Sequence, residues 1–97
     1  MFSARLIKHK NTHMLNICDS DLIGKTLKRD NFSLKIKEEY YADKIVEKEE
    51  AKDLLKGSDN INMVGKKIID LSVNIGIGSK EGVKVIDGVP FLIVFKM

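Results

Sequence analysis

The dipeptide Asp87-Gly88 separates two apolar segments near the end of the chain, residues 83–86 and 89–95. Asp and Gly tolerate the positive φ angles of a two-residue hairpin turn, so the two segments are predicted to form an antiparallel pair of strands. Pro90 cannot donate to a sheet ladder, which places the start of the second strand at a sheet edge or a bulge. The rest of this strand is apolar at every position, which predicts burial on both faces or one face kept for a partner. The fold must therefore include an antiparallel sheet.

Further strands are predicted from alternating patterns earlier in the chain. Residues 2–8 and 13–18 are predicted to form a second hairpin around a turn at residues 10–12. Residues 32–36 alternate apolar side chains with Ser and Lys, which predicts a half-buried strand whose solvent face is basic.

Two helices are predicted between these strands. Residues 47–56 are rich in Glu, Lys, Ala and Leu, and the acidic side chains of the first turn suit the positive end of the helix dipole. Residues 61–75 carry apolar side chains at three- and four-residue spacing, with Asn60 or Asn62 as the cap at the start. Gly65 inside that helix costs about 1 kcal/mol relative to Ala and predicts a close approach by another backbone.

Together these elements predict an α+β fold, in which a small mixed or antiparallel sheet from the N- and C-terminal hairpins has two helices packed on one side. A chain of 97 residues suffices for one core, so residues 1–97 are predicted to form a single domain. Cys18 is the only cysteine, which excludes an internal disulfide and a zinc site built from cysteines. The first residues lack the apolar run of a signal peptide, and the longest apolar run is far shorter than a membrane span. We therefore expect a cytoplasmic protein with no membrane partner.

The net charge of +3 is distributed unevenly along the chain. Residues 1–37 contain eight basic and three acidic side chains, whereas residues 38–97 contain nine basic and eleven acidic ones. This asymmetry predicts a face that attracts polyanions. The alternative is an ordinary lysine-rich surface that contacts only solvent.

Binding to RNA phosphates requires positive charge and hydrogen-bond donors but no catalytic arrangement. The candidate phosphate ligands are Lys25, Thr26, Lys28, Arg29, Lys35 and Lys37, joined by Arg5, Lys8 and Lys10. Tyr40 and Tyr41 are adjacent aromatic residues among charged ones, so one ring is expected in the core and the other against a base or a partner side chain. Few aromatic residues and no RNA-binding fingerprint favour contact with folded RNA through its backbone and shape. No DNA target is expected.

Residues 24–26, with the sequence Gly-Lys-Thr, have the residue types of a phosphate-binding loop without the loop itself. A P-loop requires a second glycine five positions upstream of the first, where this chain has Asp19, whose carboxylate would repel a phosphate. Residues 19–21 instead predict the cap of a single helical turn, which the glycine at position 24 would end. The alternative function is a small enzyme or sensor that binds a phosphate ligand through this Gly-Lys-Thr segment.

Catalytic and metal chemistry have little support in the sequence. Three candidate metal ligands, His9, His13 and Cys18, lie on the predicted N-terminal hairpin, but no fourth ligand follows at a usual spacing. A cysteine nucleophile would need a base that a carboxylate orients, which this hairpin does not offer. The acidic side chains of residues 38–50 are interleaved with lysines, which favours a solvated, salt-bridged surface over a metal or acid–base site. We predict no catalytic residue, no metal and no cofactor.

Four separated motifs remain, and they are ICDSDLIGKTL at residues 17–27, IKEEYY at 36–41, NMVG at 62–65 and DGVP at 87–90. In order and over nearly the whole chain, they resemble the archaeal domain-of-unknown-function family 424 (DUF424). The resemblance implies a compact α+β archaeal protein without an established enzymatic activity, encoded near translation genes. It therefore favours a ribosome-associated protein of the translation apparatus that binds ribosomal RNA or a ribosomal subunit.

The family motifs also single out individual residues of this chain, namely Gly24, Lys25, Thr26, Glu39, Tyr41, Asn62, Gly65, Gly88 and Pro90. The family often has a histidine directly after the Val-Pro pair, where this chain has Phe91. This departure weakens an enzymatic interpretation and makes the last strand purely apolar. That strand is also the candidate surface for a homodimer.

Overall fold

The N-terminal hairpin forms one half of the main sheet in the computed structural model, which describes residues 1–96. Strands β1 (Phe2–His9) and β2 (Thr12–Asp19) pair antiparallel over all eight residues of each. The turn between them holds Lys10 at φ +55°. The predicted N-terminal hairpin is confirmed, with slightly longer strands.

The remaining elements are, in chain order, a single 3-10 turn (Ser20–Leu22), β3 (Thr26–Arg29), β4 (Phe32–Lys35), α1 (Glu38–Tyr41), β5 (Lys44–Val46), α2 (Lys48–Gly57), β6 (Asn60–Val64), α3 (Lys66–Asn74), a second 3-10 turn (Lys80–Gly82), β7 (Lys84–Ile86) and β8 (Val89–Phe95). The main sheet has the strand order β5-β1-β2-β6-β8-β7, and β3 and β4 form a separate two-stranded sheet. Within the main sheet β2 and β6 pair in parallel, while the other neighbours described are antiparallel. The sheet is therefore mixed.

The first face of the main sheet packs against α2 and α3 and forms the larger core. Leu15, Ile17 and Met63 contribute from the strands, and Leu55 and Ile68 from the helices; all five are fully or almost fully buried. Burying each such side chain stabilises the fold by about 1.5–3 kcal/mol. The predicted α+β fold with two helices on one side of the sheet is confirmed, and α2 begins and ends one residue later than predicted.

The second face of the main sheet is covered over one end only. There the β3–β4 hairpin and α1 lie across the strands, and Cys18 and Val64 of the sheet pack against Leu27, Ile36 and Tyr41. Toward the other end of the strands this face is exposed to solvent. The uncovered part is relevant to function and is described below.

The helix predicted over residues 61–75 is wrong in its first half. Residues Asn60–Val64 form strand β6, which pairs with β2 on one side and β8 on the other. Gly65 follows with φ +118°, and α3 starts directly after it. The two asparagines expected to cap a helix are strand residues. The close approach predicted at Gly65 is present, but the neighbour is the side chain of Asp19 and not a backbone.

The C-terminal hairpin is confirmed, because Asp87 (φ +51°) and Gly88 (φ +78°) form the two-residue turn between β7 and β8. Pro90 pairs with β7 but precedes the part of β8 that pairs with β6, so on that side it lies at a local edge, as predicted. Of the two alternatives for the last strand, burial on both faces is wrong. Ile93 and Phe95 are 59% and 70% exposed on the second face.

Candidate functional site

The β3–β4 hairpin gathers several of the candidate phosphate ligands on one surface. Thr26 lies opposite Lys35, and Lys28 lies opposite Ser33. Side chains opposite each other in an antiparallel pair point to the same side. Lys37 follows Lys35 by two residues in extended backbone (φ −81°, ψ 136°) and continues this side. These five exposed residues, Thr26, Lys28, Ser33, Lys35 and Lys37, are called the hairpin face below.

The other side of this hairpin is less buried than the alternating pattern predicts. Leu27 and Ile36 are buried against the main sheet, but Phe32 is 57% exposed and Leu34 is 38% exposed. The tip of the hairpin therefore extends beyond the sheet that supports its base. Lysines on the hairpin face are accordingly accessible to a large partner.

Within residues 1–96, no lysine of the hairpin face forms an ion pair. Lys37 Nζ lies 5.5 Å from the centroid of the Tyr40 ring, which is a cation–π contact. Tyr40 is 50% exposed, whereas Tyr41 packs into the second-face core beside Cys18. The expected division between the two rings is present, with one ring in the core and the other on the surface next to a lysine.

The other candidate ligands are not part of the hairpin face. Arg29 is adjacent to Lys28 in β3 and so belongs to the opposite side, and Lys25, directly before β3, pairs by its carbonyl with the N–H of buried Ile36 on that side. Arg5 lies midway along β1, where its guanidinium donates to the backbone carbonyl of Glu39. These cations are exposed but do not join the row formed by Lys28, Lys35 and Lys37.

Lys8 and Lys10 lie farther still. The β3–β4 hairpin covers the main sheet near Ser3, because Ser3 pairs with Cys18 and Cys18 packs under this hairpin on the second face. Five residues of strand separate Ser3 from Lys8, or about 17 Å at the rise of a strand. The nine candidate ligands thus form a hairpin group and a β1 group, and do not form one continuous patch.

The Gly-Lys-Thr segment uses its backbone amides internally. Gly24 N–H donates to the Ile36 carbonyl (2.8 Å), and Lys25 N–H donates to the Leu22 carbonyl (3.1 Å). These amides hold the hairpin to the preceding turn, so they do not form the cradle of free N–H groups that a phosphate-binding loop needs.

A concavity of ≈ 420 Å³ lies beside this segment, and its lining residues are Ile23, Gly24, Lys35, Lys37, Glu38 and Glu39. Lys25 and Thr26 do not line it. Two lysines and two glutamates give the lining no net charge, so electrostatic attraction of a small phosphate ligand is weak.

Asp19 has a structural role that sequence reasoning missed. Its carboxylate accepts hydrogen bonds from the backbone N–H groups of Lys67 (3.0 Å) and Ile68 (2.9 Å) in the first turn of α3. A helix N-terminus is where an anion binds, and here a carboxylate from β2 occupies that position. Burial raises the pKa of Asp19 above its ordinary value, and the two hydrogen bonds oppose this shift only in part.

A second surface that the sequence did not predict is the uncovered part of the second face. Two rows of side chains cross four strands there, with Asn16 and Asn62 at the centre of the first row. Asn62 Nδ2 donates to Asn16 Oδ1 at 2.8 Å. The missed signal is the alternation of Asn and apolar residues over positions 60–63, which is typical of a strand with one polar face.

The environment of Cys18 favours an unreactive, protonated thiol. Cys18 is buried, and burial together with the charges of Asp19 and Asp21 raises the pKa of its thiol to about 12. Among residues 1–96, no group of three or more His, Cys, Asp or Glu side chains is placed to hold a metal ion. In the same part of the chain, no helix has the length and apolar character needed to cross a membrane.

Comparison with known proteins gives a family and a fold. The model of a family described as "Protein of unknown function (DUF424)" matches residues 7–97. The structure is similar to a crystal structure of an uncharacterized conserved protein from Methanopyrus kandleri, with a TM-score of 0.81 and 23% sequence identity over 99% of this chain and 93% of that chain. No curated protein matches.

Proposed function

We propose that this chain, which belongs to the DUF424 family, is a non-catalytic RNA-binding protein of the archaeal translation apparatus that docks on ribosomal RNA through the hairpin face. In this proposal the protein resides in the cytoplasm and binds a ribosomal subunit. Its phosphate ligands are the side chains of Lys28, Lys35 and Lys37, assisted by the hydroxyl groups of Thr26 and Ser33.

The observation that carries the proposal is a row of three lysines that form no salt bridge with any of residues 1–96. A cation that forms a salt bridge gains little from a phosphate, whereas one without a salt bridge gains more and releases a counterion from the RNA. Glu38 and Glu39 line the concavity beside Lys35 and Lys37 and reduce the attraction of these two lysines, while Lys28 does not line it. The supporting hairpin is short and tied to the sheet at its base, so the lysines are held at defined positions on a projecting element. Tyr40 adds an exposed ring at the end of the row.

Binding to purified archaeal ribosomal subunits and to ribosomal RNA tests this proposal. The variant carries Lys28→Ala, Lys35→Ala and Lys37→Ala. The control carries Lys48→Ala, Lys56→Ala and Lys80→Ala, which removes the same charge from exposed positions outside the hairpin. The measurements are co-sedimentation with subunits and filter binding to RNA at several salt concentrations.

We expect the hairpin variant to lose about tenfold or more in affinity and its salt slope to fall by about 3, because each phosphate contact contributes about one to that slope. The control should bind more weakly only to the extent that net charge matters. Equal losses in the two variants would mean that a diffuse positive field binds the RNA and that the hairpin face is not the site.

The phosphate-ligand alternative is tested separately, because one observation favours it. The concavity beside Gly24 exists, and its lining includes Lys35 and Lys37 together with Glu38 and Glu39. Titration with inorganic pyrophosphate and with ATP, followed by calorimetry, would detect such a site. Binding of either ligand that Lys35→Ala abolishes and Lys28→Ala leaves unchanged would favour this alternative over docking on RNA, because Lys28 does not line the concavity.

A further inference from the structure

The uncovered part of the second sheet face has the geometry of a regular platform. Its first row runs across β1, β2, β6 and β8 through Arg5, Asn16, Asn62 and Ile93. Neighbouring strands lie about 4.8 Å apart, so the row is about 14 Å long. The second row, one side chain farther along, ends at Phe95, whose side chain is 70% exposed. We call Arg5, Met14, Asn16, Asn62, Ile93 and Phe95 the open face.

The centre of the open face offers hydrogen bonds to a ligand. Asn62 Nδ2 donates to Asn16 Oδ1 (2.8 Å), which leaves one amide oxygen on Asn62 and one amide nitrogen on Asn16. Neither of these two atoms has another hydrogen-bond partner among residues 1–96. An acceptor beside a donor is the pattern that an asparagine amide presents to a nucleobase edge.

Phe95 lies diagonally across the β6–β8 pair from Asn62, since its direct partner is Asn60. Diagonal neighbours lie about 7–8 Å apart, within the reach of an aromatic ring. A planar base stacked on Phe95 can therefore present its edge toward the two amides. Stacking on an exposed aromatic ring and hydrogen bonds to the base edge are the two contacts by which sheet surfaces recognise unpaired bases.

The charges on this face favour a polyanion. On the strands of the main sheet the side chains of the second face include two charged ones, and both are cations: Arg5 on the open face, and Lys84 beside Phe91 at the covered end. These strand positions include no carboxylate. The strand positions of a second copy docked face to face would offer no carboxylate to either cation, and acidic groups would have to come from bordering segments such as Glu38 and Glu39 of α1. A nucleic-acid strand instead carries a phosphate on every nucleotide, so it fits this surface better than a homodimer.

The open face and the hairpin face also lie side by side. The Arg5 guanidinium donates to the Glu39 carbonyl of α1, and Lys37, directly before α1, lies over the Tyr40 ring of the same helix. Helix α1 thus borders both surfaces. An RNA whose phosphates lie along the hairpin face has an adjacent surface that can accept a base which is not paired.

We infer that the open face binds an unpaired base of a single-stranded RNA segment, with the base stacked on Phe95 and its edge against Asn16 and Asn62, while Arg5 contacts the neighbouring phosphate. This inference rests on the proposed function, because it names the RNA form that a second surface of the same protein recognises. Single-stranded RNA would thus bind to the open face, and duplex or folded RNA would bind to the hairpin face.

The test compares a fluorescein-labelled single-stranded oligoadenylate with an RNA duplex of equal length by fluorescence anisotropy. One variant carries Phe95→Ala and a second carries Asn16→Ala with Asn62→Ala. Phe32→Ala is the matched control, because Phe32 is also an exposed aromatic residue (57%) but lies outside both surfaces. The hairpin variant with Lys28, Lys35 and Lys37 replaced by Ala is measured in parallel.

We expect Phe95→Ala to weaken oligoadenylate binding about tenfold while duplex binding stays unchanged, because base stacking on an aromatic ring contributes only where the base is free. The asparagine variant should lose single-strand binding similarly, and Phe32→Ala should lose none.

Unchanged oligoadenylate binding in both open-face variants would overturn this inference and leave the proposed function standing. Duplex binding that survives in the hairpin variant would instead overturn the proposed function. Analytical ultracentrifugation tests whether a second copy of this chain occupies the open face instead. A dimer that Phe95→Ala converts to a monomer would show that it does, and would also overturn the inference.

Discussion

At the scale of single residues, the junction between Gly65 and Asp19 holds two parts of the molecule in place. Gly65 has φ +118°, and a Cβ atom at this position would lie 2.4 Å from Asp19 Cγ. The carboxylate cannot move away, because it accepts two backbone hydrogen bonds from the start of α3. Glycine is therefore required both by its backbone angle and by the space available.

Gly65→Ala should lower the free energy of unfolding by about 1–3 kcal/mol from backbone strain, with the steric overlap in addition. Asp19→Ala alone should cost about 1–3 kcal/mol, because it leaves two amides at the start of α3 without a partner. Since the double variant removes the overlap, it should cost less than the sum of the single variants by about 1 kcal/mol. Urea unfolding of the four proteins measures this difference, and strictly additive costs would show that the side chains do not collide.

Cys18 predicts a dependence of stability on alkaline pH. Its thiol pKa is raised from 9.0 to about 12, mainly by burial. A group whose pKa is higher in the folded protein contributes stability that is fully present below the unfolded pKa and is lost as pH rises through the folded one. The stability of the wild type should therefore fall as pH rises from 9.0 toward about 12.

Urea unfolding of wild type and Cys18→Ala across this pH range provides the measurement. The variant should lose less stability, although some loss should remain because burial also raises the pKa of Tyr41, which shifts stability in the same direction. Identical slopes for the two proteins would mean that the thiol does not titrate in a buried site. In the native protein at neutral pH, Cys18 should also resist alkylation by iodoacetamide.

At the scale of elements, the sequence predicted the hairpins well and the β6–α3 region poorly. The conformation of a two-residue turn depends on local backbone angles, and Asp87 and Gly88 are residue types that adopt the positive φ angles this turn needs. The error at residues 61–75 has a different origin. Apolar residues at three- and four-residue spacing arose there from a strand and a helix that bury side chains in the same core, so that the combined spacing imitated one helix.

The candidate site was predictable only in part for a similar reason. The alternation in β4 placed Lys35 and Lys37 on a solvent face correctly, because that pattern is local. The side of the hairpin that each remaining cation occupies depends on the pairing of β3 with β4, and β3 was not predicted. Lys25 and Arg29 were therefore grouped with Lys28, although they alternate with it. The open face depends on long-range pairing of β2, β6 and β8 and has no local signal beyond its asparagines.

The attachment of the β3–β4 hairpin gives a prediction at this scale. Lys28 N–H donates to Asp87 Oδ2 at 3.0 Å, which ties β3 to the turn between β7 and β8. Asp87→Gly removes the carboxylate but keeps a residue that tolerates positive φ in the turn. We expect a loss of about 0.5–1.5 kcal/mol for one hydrogen bond.

Amide hydrogen exchange measures which part of the molecule loses this stability. The amides of β3 and β4 should exchange faster in Asp87→Gly, whereas those of β1 and β2 should keep their protection, because the hairpin opens without the main sheet. Asp87→Asn is the control, since its amide oxygen still accepts from Lys28. Uniformly faster exchange throughout the molecule would indicate that the turn itself had been damaged.

At the scale of the whole molecule, the last strand holds the sheet together. β8 lies between β6 and β7, and Lys96 beyond it donates to the carbonyls of Leu55 (2.6 Å) and Lys56 (3.0 Å) at the end of α2. Removing core contacts in β8 should therefore reduce global stability. Leu92 is buried at 3% exposure, while its neighbour Ile93 on the opposite face is 59% exposed.

Leu92→Ala should lower the free energy of unfolding by about 2–5 kcal/mol, because it deletes buried methyl groups and leaves a cavity. Ile93→Ala is the matched control and should cost less than about 1 kcal/mol, since its side chain is largely in water already. Thermal and urea unfolding measure both. Similar costs at the two positions would mean that the second face is covered in solution.

The parallel pairing of β2 with β6, and the antiparallel pairing of β6 with β8, determine when a growing polypeptide can complete this sheet. During synthesis β2 is made before β6, and its edge stays without this neighbour until residues 60–64 have been translated. Unpaired apolar strand edges are where nascent chains aggregate. We therefore expect the nascent chain to be most prone to aggregation before β6 and β8 have been synthesised.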